Sequence, residues 1–251
     1  MIKLSVVIIT YNEEKNIARC LNSIQDIADE IIIVDSFSTD KTEEICKTFN
    51  VKWFQHKFDG HIQQKNRAVE LAENDFVFAL DADEMPDETL KKEILRIKKQ
   101  PLHDAYYFNR LTNYLGKWIK HSGWYPDKKL RIWNKRKGKW GGTNPHDKVI
   151  MKDKTQIAYL NGNLLHYSYH SIAQHIAQIN SFTDIGAKEA FKKGKQSNLF
   201  IILIKPIWKF IRDYIIKLGF LDGYYGFIIC ALSAHATFLK YIKLRELRKI
   251  K

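Results

Sequence analysis

Four short runs of β-branched and aromatic residues open this chain: "LSVVIIT" at 4–10, "EIIIVDS" at 30–36, "VKWFQH" at 51–56 and "DFVFALD" at 75–81. The segments between them, 13–25, 40–49 and 61–73, carry their apolar residues at helical spacing instead. Strands that alternate with helices in this way predict a parallel sheet built from βαβ units. Ligands of such sheets gather beyond the carboxyl ends of the strands. The residues that follow each run are therefore the first candidates for function.

Three of those exits are polar and rich in carboxylates: "TYNEE" at 10–14, "VDSFSTD" at 34–40 and "LDADE" at 80–84. Neither G-x-G-x-x-G nor G-x-x-x-x-G-K-[ST] occurs, which disfavours the ordinary dinucleotide and P-loop modes of phosphate binding. The remaining way to hold a diphosphate is a divalent cation, Mg²⁺ or Mn²⁺, on hard carboxylate oxygens. Asp81 and Asp83 suit that role, because alternate residues of an extended segment point the same way. A competing reading makes these acids caps of the next helix, "PDETLKKEILRIKK", with Pro86 in its first turn.

Taken together, "SVVIITYNEEKNIARCLNSI", "IIIVDSFSTDKTEEI" and "QQKNRAVELAENDFVFALDADE" resemble, in order and spacing, the inverting family 2 glycosyltransferases of the GT-A fold, which use nucleotide-diphosphate sugars. The resemblance implies a Rossmann-like α/β architecture, a mixed, mainly parallel sheet with flanking helices. It also implies roles by position. Thr10, Tyr11, Asn12 and Glu13 would surround the base and ribose, and Asp35 would accept a hydrogen bond from the base. Ser36 and Asp40 would support that loop, Lys65 and Asn66 would face the ribose or diphosphate, and Asp81 and Ala82 would lie near the ribose. Asp83 would bind the metal. Residue by residue, Tyr11 also reads as packing, Asp40 as a cap before "KTEEI", and Lys65 as a solvated helix charge.

The stretch "HSGWYPDKKLRIWNKRKGKWGGTNPHDKV" at 121–149 resembles the acceptor half of a subgroup that includes lipopolysaccharide core glucosyltransferases. That likeness implies acceptor-side roles for Gly123, Trp124, Tyr125 and His146. It makes Asp147 the general base, where the subgroup carries Glu. An inverting transfer needs a base opposite the leaving diphosphate, worth typically ~10²–10⁴-fold. The resemblance to the GT-A fold further implies a late histidine completing the metal site, His166 in "NLLHYSY", with His170 and His175 as nearby competitors; beside Tyr167 and Tyr169 a lone histidine also reads as structural.

Residues 188–251 hold 14 Lys and Arg against 4 Asp and Glu, so most of the net charge of +13 lies there. Lys205, Lys209, Arg212 and Lys217 fall on one side of a helical projection, and Ile204, Ile207, Trp208, Ile211, Tyr214, Ile215 and Leu218 on the other. That pattern predicts a helix lying in a membrane interface, followed by a second helix over 223–239 that is somewhat short for a span. The expected organisation is a transferase domain at 1–187, with donor and acceptor halves meeting near residue 100, and a basic amphipathic extension at 188–251. The expected setting is the cytoplasmic face of the inner membrane, with an anionic lipid surface and a lipopolysaccharide core or lipid-linked glycan as partners. No signal peptide is expected, and the three scattered cysteines predict no disulfide framework. Two rival readings use the same residues. A basic nucleic-acid-binding protein would draw on the bases and aromatics between Trp118 and Trp140, although the acidic sheet edge opposes it. A metal-dependent nucleotidyltransferase would use the paired aspartates but leave Asp147 without a task.

Overall fold

A computed structural model describes residues 1–143 and 146–249. The chain divides into two compact units: Met1–Arg110 with Asp127–Tyr167, and Leu111–Pro126 with Ser168–Lys251. These limits differ from the domains at 1–187 and 188–251 expected from charge.

The first unit begins as the periodicity predicts: β1 (Leu4–Thr10), α1 (Ile17–Ile24), β2 (Glu30–Asp35), α2 (Thr42–Cys46), β3 (Lys52–Gln55), α3 (His61–Leu71) and β4 (Phe76–Asp81). It continues through β5 (Glu84–Pro86), α4 (Glu88–Lys99), β6 (Ala105–Tyr114), β7 (Lys117–Trp118), β8 (Asp127–Asn134), β9 (Gly138–Thr143), β10 (His146–Met151) and β11 (Ile157–Tyr169), of which β6 and β11 end, and β7 lies, in the second unit. The sheet order is β3-β2-β1-β4-β8-β6-β11-β5, with β7 on β6, and β9 and β10 form a separate hairpin. The first four strands are parallel, whereas β8 joins β4 antiparallel. This is the mixed α/β GT-A arrangement.

Helices cover both faces, which is why β1 reads as an unbroken apolar run. Leu4, Val6 and Ile8 face α1 and α4, while Val7 joins Ala68 and Val69 of α3 and the T-shaped pair Trp133–Trp140. Each fully buried large side chain contributes about 1.5–3 kcal/mol. The parallel register sets Thr10 opposite Asp35 and Ile9 opposite Asp81, so the three acidic exits do meet at one edge.

Pro86 does not open a helix. It ends β5, and Asp87 caps α4 by accepting from the Leu90 N–H at 2.8 Å. The other Asp87 oxygen takes the Asn163 N–H at 2.9 Å, which ties β11 to the helix start. Gly162 makes that approach possible, since a Cβ there would lie 2.4 Å from the Leu90 nitrogen.

The second unit holds α5 (Ile172–Lys192), α6 (Leu199–Ile211), a π-helical turn at Arg212–Ile216, a 3-10 turn at Gly219–Asp222 and α7 (Gly223–Lys249). Thus α6 begins earlier and stops sooner than the expected helix, and α7 runs well past residue 239. Packing of α7 against both α5 and α6 organises this unit. The apolar side of α6 and the turns remains exposed, including Leu203, Ile204, Ile207, Trp208, Ile215 and Leu218. The basic stripe is only partly free, because Lys209 and Arg212 both pair with the buried carboxylate of Asp213. A second buried acid, Asp222, accepts the backbone N–H groups of Lys120 and His121 at 3.2 and 2.9 Å.

Candidate active site at the carboxyl edge of the sheet

At the exits of β1 and β2 the polar residues bind one another. Asp35, fully buried, accepts the Thr10 hydroxyl at 2.9 Å and the Ser38 N–H at 2.8 Å. Asn12, at φ 55°, accepts the Thr39 N–H at 2.8 Å. Asp40 receives the Glu14 N–H at 3.1 Å and the Thr42 N–H at 3.0 Å, so it supports the loop, while the N-cap position of α2 is Lys41 rather than Asp40. Ser36 accepts from the Gln64 amide at 3.1 Å. With the loop held from within, two aromatic rings are left facing solvent: Tyr11 is 60% exposed and Phe37, at φ 62°, is 53% exposed. Tyr11 is therefore not a packing residue here. The sequence does not mark Phe37, because an aromatic inside a Ser/Thr-rich loop gives no periodic signal.

Beyond β4 the chain turns at Ala82 and Asp83 before entering β5. Antiparallel pairing of β5 with β11 sets His166 opposite Glu84 and brings its Nε2 within 3.1 Å of an Asp83 oxygen. Of the three candidate histidines, His166 is the one beside Asp83. His175 lies in the second unit, where its Nδ1 meets the Tyr114 hydroxyl at 2.9 Å and burial pushes its pKa down to about 4.

Asp81 is gripped from two sides, by the Lys65 ammonium at 3.0 Å and the Arg131 guanidinium at 2.9 Å. Burial alone would raise its pKa, but these two cations outweigh that and hold it well below the usual carboxylate range. Lys65 also reaches Asp147, at 2.9 Å. Next to it, Asn66 exchanges two hydrogen bonds with the Trp140 backbone, at 2.9 and 3.0 Å. Its amide therefore anchors the β9–β10 hairpin, a task the motif does not reveal. Burial and the nearby Asp83, Asp81 and Asp40 push Glu13 upward, against a hydrogen bond from Asn16.

Among the described residues no group of three or more His, Cys, Asp and Glu is arranged to hold a metal alone. Asp83 and His166 still fit a divalent cation, since such ions commonly take one or two protein ligands and fill their shell with water and phosphate oxygens. The excess negative charge at this edge fits it as well.

The acceptor-side expectations divide. Gly123, Trp124 and Tyr125 belong to the second unit, and Asp147 to the first. Trp124 packs among Tyr114, Tyr169 and His175, at ring separations of 5.8, 5.8 and 6.0 Å, so it has a structural role. The side chain of His146 lies outside the described residues.

Residues 5–156 match the family described as Glycosyl transferase family 2. A Rickettsia typhi protein named an uncharacterized glycosyltransferase is 35% identical over 257 residues, covering 98% of this chain and 88% of that protein. The lipopolysaccharide core biosynthesis glycosyltransferase LpsC of Rhizobium meliloti is 25% identical, covering 99% of this chain and 94% of its own length. Among solved structures, S. aureus TarS 1-349 in complex with UDP-GlcNAc aligns with 99% of this chain and 92% of its own, at 17% identity and a TM-score of 0.49.

Proposed function

This chain belongs to glycosyl transferase family 2 and is a glycosyltransferase, and from that premise we propose that it transfers a hexose, glucose, from a uridine-diphosphate sugar to a lipopolysaccharide core or other lipid-linked glycan, inverting the anomeric carbon and releasing uridine diphosphate. The observation that carries this reading is the meeting of three acidic strand exits with the Asp83–His166 pair at one edge. The glycan class is supported by the likeness to LpsC over nearly the whole chain.

In this reading Tyr11 and Phe37 offer exposed faces to the base, while Asp35 and Asp40 hold the loop that presents them. Asp83 and His166 would hold Mg²⁺ or Mn²⁺, which would offset the negative charge that grows on the leaving diphosphate. Lys65 supplies a further positive charge there. Asp147 takes the proton of the acceptor hydroxyl as that oxygen attacks. Before doing so it must exchange its contact with Lys65, and an arriving diphosphate competes for the same ammonium.

The exposed apolar side of α6, with Lys205 and Lys217, would rest on an anionic cytoplasmic leaflet and keep the enzyme near a lipid-borne acceptor. One helical stretch, Gly219–Arg248, is long and apolar enough to cross a bilayer by length and composition. Within the helical unit it packs on α5 and α6, and most of its apolar window stays unburied.

The test is thermal stabilisation of the purified protein by a panel of nucleotide-sugars, with and without Mg²⁺ or Mn²⁺. Saturation a hundredfold above the dissociation constant adds about 2.7 kcal/mol. A metal-dependent shift with one donor is expected, and the absence of any shift across the panel would refute the donor reading.

A further inference from the structure

Glu84 lies directly after the two aspartates, yet it faces inward and is essentially unexposed. One of its oxygens, Oε2, accepts the backbone N–H of Asp81 at 3.0 Å and so closes the Asp81–Glu84 turn on itself. The other, Oε1, receives the Nη2 of Arg131 at 3.0 Å, and the same nitrogen reaches Asp81 at 2.9 Å. Arg110 stands further off, with Nη1 at 3.5 Å from Glu84.

Arg131 is 4% exposed, and its Nε and Nη1 have no hydrogen-bond partner among the described residues. Its guanidinium carbon lies 5.3 Å from the centre of the Trp140 ring. Burying a charged pair with donors unmet is a costly way to gain stability, since apolar residues of similar volume often do as well. What the arrangement does supply is geometry. A single nitrogen ties the Asp81 carboxylate to the residue that shapes the turn beneath Asp83.

We propose that Arg131 and Glu84 are a positioning pair, which fixes the carboxylate of Asp81 and the Asp81–Glu84 turn in the orientation that receives the nucleotide diphosphate and its cation. The inference rests on the donor reading above. Neither residue touches the donor; both act through Asp81 and the backbone of the turn.

The experiment measures the dissociation constant of UDP with Mn²⁺ by calorimetry, at a temperature where each protein is folded, beside its melting temperature without ligand. For Arg131→Met, affinity is expected to fall by ~tenfold or more, the usual coupling between residues in contact. Arg131→Lys should recover most of the loss, because one nitrogen makes both contacts and an ammonium can replace it. A merely structural arginine would lower the melting temperature and leave the affinity of the folded protein unchanged; that result overturns the proposal. Equal impairment in the Lys and Met variants overturns it too. Should Arg131→Met fail to fold with Glu84 left unpaired, the double variant Glu84→Gln with Arg131→Met removes both charges, and wild-type affinity in it would be equally fatal. Failure of the wild-type protein to bind UDP with Mn²⁺ would instead bring down the donor reading, and this inference with it, whereas normal wild-type binding with unaffected variants refutes the inference alone.

Discussion

The ammonium of Lys65 lies 2.9 Å from a carboxylate oxygen of Asp147, joining residues 82 positions apart in the chain. The contact ties the proposed base to the helix that flanks the donor edge.

Asp147→Asn preserves the shape of this contact and removes the base. Transfer is expected to fall by ~10²–10⁴-fold while donor affinity changes little, as read by single-turnover kinetics beside calorimetry. Loss of donor affinity on the same scale would show that Asp147 belongs to the donor site instead. Lys65→Met should weaken both donor affinity and transfer, since it removes the cation shared by Asp81 and Asp147.

Asp83→Ala is expected to abolish the metal-dependent part of the nucleotide's stabilising effect without lowering the melting temperature of the ligand-free protein. His166→Ala should weaken Mn²⁺-dependent binding by ~tenfold, about 1.4 kcal/mol. Excess chelator should reproduce the Asp83 phenotype in the wild-type protein. Full turnover in Asp83→Ala would remove this residue from the mechanism.

His175 makes acid stability testable. Unfolded, an imidazole binds its proton below about 6.5; folded, His175 does so only below about 4. Between these values the unfolded chain holds more protons, so stability rises with pH across the window and is lost on acidification. The loss from this group is at most about 3 kcal/mol. Melting temperature recorded from pH 7 to pH 4.5 should therefore drop less steeply in His175→Gln than in the wild type, from a lower starting value because the Tyr114 contact is altered. Parallel curves would show that this ring does not govern the acid response.

Ile207 and Trp208 lie on the exposed apolar side of α6. Replacing both with Glu removes surface worth about 1.5–3 kcal/mol per side chain on burial, so binding to phosphatidylglycerol vesicles should fall by well over tenfold. The solution fold, judged by melting temperature, should be unchanged. Equal sedimentation of variant and wild-type protein with vesicles would dismiss this face as the attachment surface.

The parallel half of the sheet was legible because its signals are local. β1, β2 and β4 are buried on both sides and carry dense β-branched runs, and the turn at Asp81–Glu84 follows one of them directly. Glu84 and Arg131 were not legible, since a carboxylate and a guanidinium 47 positions apart carry no shared periodicity. Asn66 sits inside a helix, and nothing in the sequence around it points to the Trp140 backbone. At the other end of the chain, helical projection sorted the bases from the apolar residues of 204–218, but it could not register that Asp213 turns inward and draws Lys209 and Arg212 with it.

β6 and β11 each begin in one compact unit and finish in the other, and the chain passes between the units at 110/111, 126/127 and 167/168. The helical unit is therefore no detachable tail. A stop codon after Tyr167 would also strand the Leu111–Pro126 segment, leaving open strand edges of the kind that seed aggregation. Exchange of this unit between relatives would need three coordinated junctions, so the transferase core and its helical unit are expected to be inherited as one piece.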